Sequence, residues 1–228
     1  MATRGPKPKE IVPLVWNGEL AYVVGLIATD GSLSKNGRVI DFTSKDIEQI
    51  KNFARVLKIQ HLTIGKKSSG SKKEKKYYRI QFSNIHFYSW LVSLGLTQNK
   101  SKTLGLLKIP QQLFFDFLRG VFDGDGSFSS YYDPRWRSSF MFYITFTSSS
   151  PAFIFWIQSE LKRRLDIYGH ISKAKGKSYE NLRFAKKESL KIIKKMYYSS
   201  VVVCLRRKRR KIERALKIDN LTNSARVL

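Results

Sequence analysis

The stretch LAYVVGLIATDGSL, residues 20–33, is repeated in its essentials by FLRGVFDGDGSF, residues 117–128. Each copy is an apolar run with a central glycine, followed by Asp-Gly, a serine and a large apolar residue. The two acids, Asp30 and Asp125, lie 95 positions apart. Each run is too short and too interrupted to span a membrane. Both are therefore predicted to be buried helices that end at a glycine C-cap.

The composition indicates a folded protein with a polyanionic partner. Of 228 residues, 42% are hydrophobic and 13% aromatic, which is enough to bury a core. Lysine and arginine total 43 against 17 acidic residues, so the formal net charge is +26. This excess favours nucleic acid as the partner. An acidic membrane surface is less favoured, because the basic residues are spread along the whole chain.

Cysteine and histidine usage excludes two kinds of site. The single cysteine, Cys204, cannot form an intramolecular disulfide or build a cysteine zinc site, and its apolar neighbours predict a packed thiol. The three histidines are too dispersed to form a metal cluster by spacing. The first ten residues lack the apolar region of a secretory signal, which predicts an intracellular protein and leaves the compartment, a prokaryotic cytoplasm or an organelle, open.

The repeat extends beyond the two helices to the order of the elements. Each half shows helix, hairpin, helix, hairpin, helix, so the sequence predicts a pseudo-two-fold α+β protein with two αββαββα halves. The predicted segments are a basic leader at 1–15, an N-terminal half at 16–110, a C-terminal half at 111–200 and a basic helix and tail at 201–228.

Two local signals add detail to the N-terminal half. Ala21, Gly25 and Ala28 share one helical face, and such a stripe of small residues predicts close approach of a second helix. Asn36-Gly37 stands between two strand-like runs, which predicts a two-residue type I′ hairpin turn.

The repeated Asp has a chemical consequence. A carboxylate at a helix C-terminus adds negative charge to the negative end of the dipole and so requires a cation. Two such ends side by side would supply the hard oxygen ligands that Mg²⁺ prefers, from Asp30 and Asp125 with the backbone oxygens of Thr29 and Gly124. Carboxylate-held Mg²⁺ facing a phosphodiester activates water and stabilises the leaving oxygen. Together with the basic composition, this favours a nuclease.

The Asp-Gly pairs have two other interpretations. Asp123, Asp125 and Ser127 match the first three ligand positions of a calcium loop, but Phe128 and Pro134 stand where that loop needs Gly and Glu. The calcium interpretation therefore fails. The Asp-Gly pair could also simply end a helix by turn chemistry, although two copies in matched contexts argue against this.

The segments VVGLIATDG, 23–31, and LRGVFDGDG, 118–126, resemble the paired motifs of single-chain LAGLIDADG homing endonucleases. The resemblance implies motif helices at the interface between the halves and antiparallel sheets that form a DNA-binding saddle. It also implies that the last acid of each motif, Asp30 and Asp125, holds divalent metal. The copies differ at the earlier acid of the motif, which is Asp123 in the second copy and is replaced by alanine in the first.

The resemblance further implies the activity and the partners. We expect a monomeric, Mg²⁺-dependent endonuclease that cuts one DNA strand per acid and leaves 3′ overhangs. Mn²⁺ would replace Mg²⁺, and Ca²⁺ would bind without supporting cleavage. The expected partner is double-stranded DNA with a long, largely asymmetric target site, with no protein partner and no membrane. An intron RNA maturase on the same fold and a DNA-binding protein without nuclease activity remain alternatives.

Members of this family also place basic or polar residues around the metals. The end of the first hairpin suggests Lys45 with Ser44, and Ser148 in the second half. The end of the second hairpin suggests Lys187 or its neighbour Lys186, whereas the matching region of the first half has no lysine.

Base contacts are expected on outward-facing residues of the four hairpins, because a two-stranded ribbon fits the major groove. Strand alternation leaves open which face is outward. The candidates are Lys35, Arg38, Asp41, Ser44, Tyr78, Arg79, Gln81, Arg135, Arg137, Tyr143, Ser148, Lys175, Lys177 and Arg183. Two basic runs, 66–76 and 206–211, are expected to contact phosphates, and for the second run a nuclear localisation signal and a solvated face are alternatives.

Overall fold

The chain forms two halves with the same order of elements. The computed structural model describes residues 12, 14–68, 76–173 and 175–224. The first half contains α1 (Gly18–Asp30), β1 (Gly31–Leu33), β2 (Val39–Ser44), α2 (Ile47–Val56), β3 (Gly65–Ser68), β4 (Lys76–Ser83) and α3 (Ile85–Ser93). After a 3-10 turn (Gln111–Leu113), the second half contains α4 (Phe114–Asp125), β5 (Ser127–Asp133), β6 (Trp136–Ser148), α5 (Pro151–Leu165), β7 (His170–Lys173), β8 (Glu180–Phe184) and α6 (Lys186–Met196). A last helix, α7 (Arg206–Ser224), follows.

Each half builds one four-stranded antiparallel sheet, and the two sheets share one strand order. The orders are β1-β2-β4-β3 and β5-β6-β8-β7. Along β2 and β4, Ile40, Phe42 and Ile80 are buried, while the alternate residues Asp41 and Gln81 are not. One face of the sheet therefore joins the core and the other faces outward. The duplicated α+β fold predicted from the sequence is confirmed.

The two motif helices, α1 and α4, pack directly on each other through their central glycines. A Cβ added to Gly25 would lie 2.8 Å from the backbone N of Val121, and one added to Gly120 would lie 3.0 Å from the Cα of Gly25. No side chain fits there without moving a helix, so the predicted close approach at the small-residue stripe is confirmed. The contact is sealed from solvent, because Tyr22 and its neighbours along α1 are fully buried.

The glycines that end these two helices are needed because a Cβ would not fit there, and not because the backbone adopts a left-handed conformation. Gly31 and Gly126 are the C-caps, as predicted, but both have extended backbones, with φ of −85° and −78°. A Cβ on Gly31 would lie 2.7 Å from Ile27 Cα, and one on Gly126 would lie 2.6 Å from Phe122 Cα. The glycines thus allow the backbone of each half to pass close to its own motif helix before the first strand begins.

The first hairpin does not have the predicted type I′ turn. Five residues, 34–38, separate β1 from β2, and a type I′ turn would need positive φ at both central residues. Gly37 has φ of 74°, but Asn36 is not among the described residues with positive φ. The side chain of Asn36 closes the loop instead, since its Oδ1 accepts from the backbone N of Arg38 at 3.2 Å and of Val39 at 3.3 Å.

The C-terminal segment packs against the second half. Ile212 and Ala215 of α7 are buried, and Cys204, just before the helix, is a buried free thiol as predicted. Among the described residues, no helix is both long and apolar enough to cross a membrane.

Candidate active site

The ends of α1 and α4 bring the two motif acids into one cluster. A Cβ on Gly124 would lie 3.1 Å from Oδ2 of Asp30, so the Asp30 carboxylate lies against the last turn of α4. Burial, followed by repulsion from Asp125, raises the pKa of Asp30 to about 7. Desolvation also raises the pKa of Asp125, although this side chain is the more open to solvent of the two. Two crowded carboxylates of this kind are stabilised by positive charge.

Lys208 of α7 supplies part of that charge at the end of α4. Its buried Nζ donates to the carbonyl oxygens of Phe122 at 2.6 Å, Asp123 at 2.8 Å, Gly124 at 3.2 Å and Gly126 at 2.7 Å. The Phe122 carbonyl also accepts from the backbone N of Gly126 at 3.0 Å, and the lysine adds a donor at a helix end where carbonyls commonly lack one. Burial lowers the pKa of Lys208 to about 8, and its charge in turn lowers the pKa of both motif acids.

Lys100 does the same at the end of α1. Its buried Nζ donates to the carbonyl oxygen of Gly31, the position that matches Gly126 in the second motif. Burial lowers the pKa of Lys100 to about 8, and its charge also lowers the pKa of both acids. Each motif helix therefore ends at a buried lysine.

Neither lysine was identified from the sequence. Lys100 lies in the loop after α3, where no periodic pattern marks a buried side. Lys208 is hidden in a run of six basic residues, but it shares spacings of four, seven and eleven with Ile212, Ala215 and Asp219. All four are buried on one face of α7, so this spacing was an available signal.

Neither Lys45 nor Lys187 has a described contact with the motif acids, so their place in the site stays a prediction. Lys45 is exposed, and its Nζ lies 5.6 Å from the ring centroid of Tyr77. Lys187 is exposed on α6. Its neighbour Lys186 forms a salt bridge with Asp219 and donates to the backbone oxygen of Phe140 at 3.1 Å.

Ser44 and Ser148 shape helix entries rather than a DNA surface, which is a second correction. Ser44 is buried on the core face of β2, where its Oγ donates to Gln49 Oε1 at 2.5 Å and accepts from the backbone N of Asp46 at 3.1 Å. In the second half, Ser148 Oγ accepts from the backbone N of Ser150 at 3.1 Å. Both serines close the turn between a strand and the helix that follows.

The acid pair fits a divalent cation that retains most of its own water. Among the described residues, no group of three or more His, Cys, Asp or Glu side chains could hold a metal. Of the predicted backbone ligands, the Gly124 oxygen already accepts from Lys208. The Thr29 hydroxyl donates back to the Leu26 carbonyl at 3.0 Å, and the Thr29 backbone oxygen stays a predicted ligand. The protein's contribution is therefore two hard, partly desolvated carboxylates, which suits Mg²⁺ or Mn²⁺ better than zinc.

The predicted DNA contacts of the first half divide between the two faces. Asp41, Arg79 and Gln81 lie on the outward face, and Arg79 Nε donates to Asp41 Oδ2 at 2.7 Å. Tyr78 lies on the core face and packs against the core, so its predicted DNA contact is corrected. Lys35 and Arg38 are exposed in the loop between β1 and β2.

Apart from Ser148, the predicted DNA contacts of the second half whose side chains the structure describes are exposed or face outward. Tyr143 and Arg183 lie on the outward face of β6 and β8. Arg135 is exposed at the turn between β5 and β6 and is paired with Asp133. Lys175 and Lys177 are exposed in the loop between β7 and β8. The side chain of Arg137 lies outside the described part of the structure, as does most of the basic run 66–76 and of the leader.

The basic run 206–211 makes several contacts within the protein, but most of its side chains are also exposed, so the expected phosphate contacts stay a prediction. Arg206 and Arg207 pair with Glu48 and Asp46 of the first half. The other internal contacts are those of Lys208 with the end of α4, Arg209 with Glu213, and Lys211 with the Phe128 carbonyl. The run joins α7 to both halves.

Asp123, the earlier acid of the second motif, faces away from the acid pair. It is buried, and its Oδ2 accepts from the hydroxyl of Tyr22 at 2.9 Å and from the backbone N of Leu205 at 2.6 Å. Asp123 thus links α1, α4 and the start of α7.

Comparisons with known proteins agree on this architecture. The sequence pattern of the LAGLIDADG-like domain matches residues 17–90 and 115–197. No curated protein sequence matches the chain. Among solved structures, the I-LtrWI LAGLIDADG homing endonuclease bound to target DNA has a TM-score of 0.57 and 14% identity, over 91% of both chains.

Two further structures share the fold. I-DmoI in complex with DNA and Mn has a TM-score of 0.51 and 14% identity, over 81% of this chain and 98% of that one. Full-length DUF199/WhiA from Thermatoga maritima has a TM-score of 0.56 and 16% identity. The match covers 91% of this chain but only 63% of the WhiA chain.

Proposed function

This chain belongs to the LAGLIDADG-like domain family, and we propose that it is a homing endonuclease that hydrolyses DNA at a specific site with a divalent metal. One observation carries the proposal. The carboxylates of Asp30 and Asp125 share one cluster, and a buried lysine lies at the end of each motif helix, Lys100 at α1 and Lys208 at α4. A merely structural pair of helix ends would not need two acids that repel each other.

In the proposed reaction, Asp30 and Asp125 hold the metal, and each acid serves one DNA strand. When bound, the metal activates water and stabilises the leaving oxygen. We propose Mg²⁺ as the metal in the cell. Mn²⁺ is supported by the complex of I-DmoI with DNA and Mn. Ca²⁺ would permit binding without cleavage.

Lys100 and Lys208 place fixed positive charge beside the reacting phosphates. They neutralise the negative helix ends, which keeps the two acids ionised next to a polyanion. They also stabilise the charge that develops on the phosphate in the transition state, in a site from which water is partly excluded.

Double-stranded DNA is the proposed substrate, bound by a single copy of this chain across the outward faces of the two sheets. The net charge of +26 supports a polyanionic partner. The two outward faces differ, with Asp41, Arg79 and Gln81 on one and Tyr143 and Arg183 on the other. Because the two faces differ, the target site should be asymmetric. We propose that its cleavage leaves 3′ overhangs. Affinity should fall steeply with salt.

The acid pair, rather than the fold, carries the nuclease proposal. The fold is shared with DUF199/WhiA, whose structure is not described as that of an endonuclease. An RNA maturase, or a DNA-binding protein without nuclease activity, would keep the same fold. These alternatives are distinct outcomes of the following test.

Cleavage of a plasmid library of candidate sites tests the proposal. With Mg²⁺, the wild-type protein should give linear products with 3′ overhangs, and EDTA should abolish them. Asp30→Asn and Asp125→Asn should each lower double-strand cutting by at least about a hundredfold while DNA binding persists. Asp166→Asn is the control, because this acid is exposed and paired with Lys162 on α5.

Two results would overturn the proposal. One is the absence of metal-dependent cleavage at any site in the library. The other is full-rate double-strand cutting by either motif-acid variant. Duplex binding without cleavage would favour the DNA-binding alternative, and specific binding and splicing of an intron RNA would favour the maturase.

A further inference from the structure

One row of side chains crosses the outward face of the second sheet beside the motif acid. Ser127, two residues after Asp125, pairs with Thr145, Thr145 pairs with Arg183, and Arg183 pairs with His170. Neighbouring strands lie about 4.8 Å apart, so Arg183 is about 10 Å from the first strand, or about three base pairs along a duplex. Arg183 therefore occupies a position near the cleavage centre.

The guanidinium of Arg183 is held in place by an aromatic stack. Its Cζ lies 3.7 Å from the ring centroid of Tyr143, a close cation–π contact. The Tyr143 ring is in turn stacked on Tyr131, with centroids 5.8 Å apart and an interplanar angle of 18°. The two hydroxyls are 3.3 Å apart and hydrogen-bonded. This platform restricts the Arg183 side chain before any ligand binds.

The donors of Arg183 remain available. A contact through the face of a guanidinium leaves its in-plane N–H groups free, and Arg183 forms no salt bridge within the described part of the chain. In the first half, by contrast, Arg79 is committed to Asp41. The matching row there, from Ser32 through Asp41, ends at Gln81 instead of an arginine.

We propose that Arg183 reads a guanine in the half-site bound by the second sheet, with Tyr143 as its positioning residue. The proposal rests on the proposed function, because it assigns one base contact of the same DNA interface. A planar fork of donors matches the N7 and O6 acceptors that guanine presents in the major groove. A pre-stacked fork loses less side-chain freedom on binding than a free one.

Selection of bound duplexes from a library with randomised half-sites tests this inference, in EDTA so that nothing is cut. The wild-type protein should enrich guanine at one position of the second half-site. That position should lie about three base pairs from the inner end of the half-site, which is the end nearest the cleavage centre. Arg183→Ala should lower that preference about 5- to 150-fold and leave the other positions unchanged. Arg183→Lys should recover affinity but not the preference, because lysine lacks the planar fork.

Two changes at Tyr143 separate the platform from the fold. Tyr143→Phe keeps the ring and should keep the guanine preference. Tyr143→Leu removes the ring and should weaken the preference at the same position only. Gln81→Ala is the matched control, since it occupies the same row of the first sheet and should change no position in the second half-site. Circular dichroism should show that all variants are folded.

Uniform weakening of all sequences by Arg183→Ala, with a salt slope reduced by about one, would identify a phosphate contact and overturn the inference. An unchanged base profile would overturn it as well. If the wild-type protein binds no duplex at all, the proposed function fails instead, so the two failures are distinguishable.

Discussion

At three matched positions, helix α1 has small or apolar side chains where helix α4 has buried charged ones. The pairs are Ala21 and Asp116, Val24 and Arg119, and Ala28 and Asp123. The charges of α4 face the C-terminal segment. Arg119 donates from Nε to the Val203 carbonyl at 2.8 Å and from Nη1 to the Met196 carbonyl at 2.7 Å. One motif helix therefore packs by shape, and the other also anchors a further piece of chain.

The difference shows that the C-terminal segment belongs to the proposed active site. Asp123 accepts from the backbone N of Leu205, just before α7, and α7 then places Lys208 at the end of α4. Arg207 donates to Asp46 of the first half at 2.7 Å and 2.8 Å, so the start of α7 also spans both halves. The same lysine contact is supplied to α1 by a loop of its own half, through Lys100.

Replacing Arg119 should break this comparison most strongly. Arg119→Met would leave the buried Asp116 carboxylate without its cation, although the Tyr198 hydroxyl would still donate to it. It would also remove the donors to the Met196 and Val203 carbonyls. Removing one partner of a buried ion pair costs about 3–5 kcal/mol. The free energy of unfolding from urea denaturation measures the effect.

The matched change in the other helix is Val24→Ala, which removes only apolar atoms from a buried position. It should cost about 0.5–3 kcal/mol, as for most substitutions. Equal losses for the two variants would show that the charged network of α4 contributes nothing beyond packing.

The two lysines provide the next comparison. Lys208→Gln and Lys100→Gln should each lower cleavage about 10²–10³-fold, because each removes fixed positive charge from beside the reacting phosphate. Their effects on stability should differ. Lys208 satisfies four carbonyls and Lys100 satisfies one of those described, so the losses should be about 2–4 and about 1 kcal/mol.

Cleavage of the preferred plasmid site and urea denaturation measure the two properties separately. Wild-type cutting by either lysine variant would exclude that residue from the reaction. Equal losses of stability would contradict the assignment of Lys208 as the more extensively bonded of the two.

The features of the two motif helices that the sequence predicts correctly are local ones. The Asp-Gly pairs, the small-residue stripe and the order of elements are patterns within about 15 residues, and the repetition of each supports the other. Asp30 and Asp125 were therefore identified as a pair. Strand alternation was equally visible, but the choice of face was not, which is why Tyr78 was assigned to DNA and lies on the core face.

The contacts that sequence reasoning missed join distant parts of the chain. Lys100 contacts a residue 69 positions away, and Lys208 contacts residues 82 to 86 positions away. The family resemblance suggested a lysine but placed it at the end of the second hairpin, where Lys186 and Lys187 lie. Only packing of the loop after α3 and of α7 brings the two buried lysines to the acids.

The smallest expected effect concerns the hydrogen bond from Tyr22 to Asp123, which joins the two motif helices through side chains. Tyr22→Phe removes a donor at 2.9 Å from a buried carboxylate and leaves the Leu205 N–H in place. A hydrogen bond to a charged group contributes about 1.5–3 kcal/mol, and we expect the lower figure because the ring remains packed. The measurement belongs at pH 8, above the pKa of about 6 to which burial raises Asp123.

The control for that change is Tyr88→Phe in the first half, where the hydroxyl donates at 2.7 Å to the carbonyl of Ser34 and accepts at 3.0 Å from Gln98 Nε2, both neutral partners. A neutral hydrogen bond contributes about 1 kcal/mol, and the control removes two of them. A loss for Tyr22→Phe larger than half of the loss for Tyr88→Phe would show that Asp123 is ionised and that its charge stabilises the contact between the halves. A loss of half or less would show that Asp123 is protonated in the fold, and Asp123→Asn would then preserve the stability of the wild-type protein. In that case, of the three α4 residues compared with α1, Asp116 and Arg119 would be the charged ones.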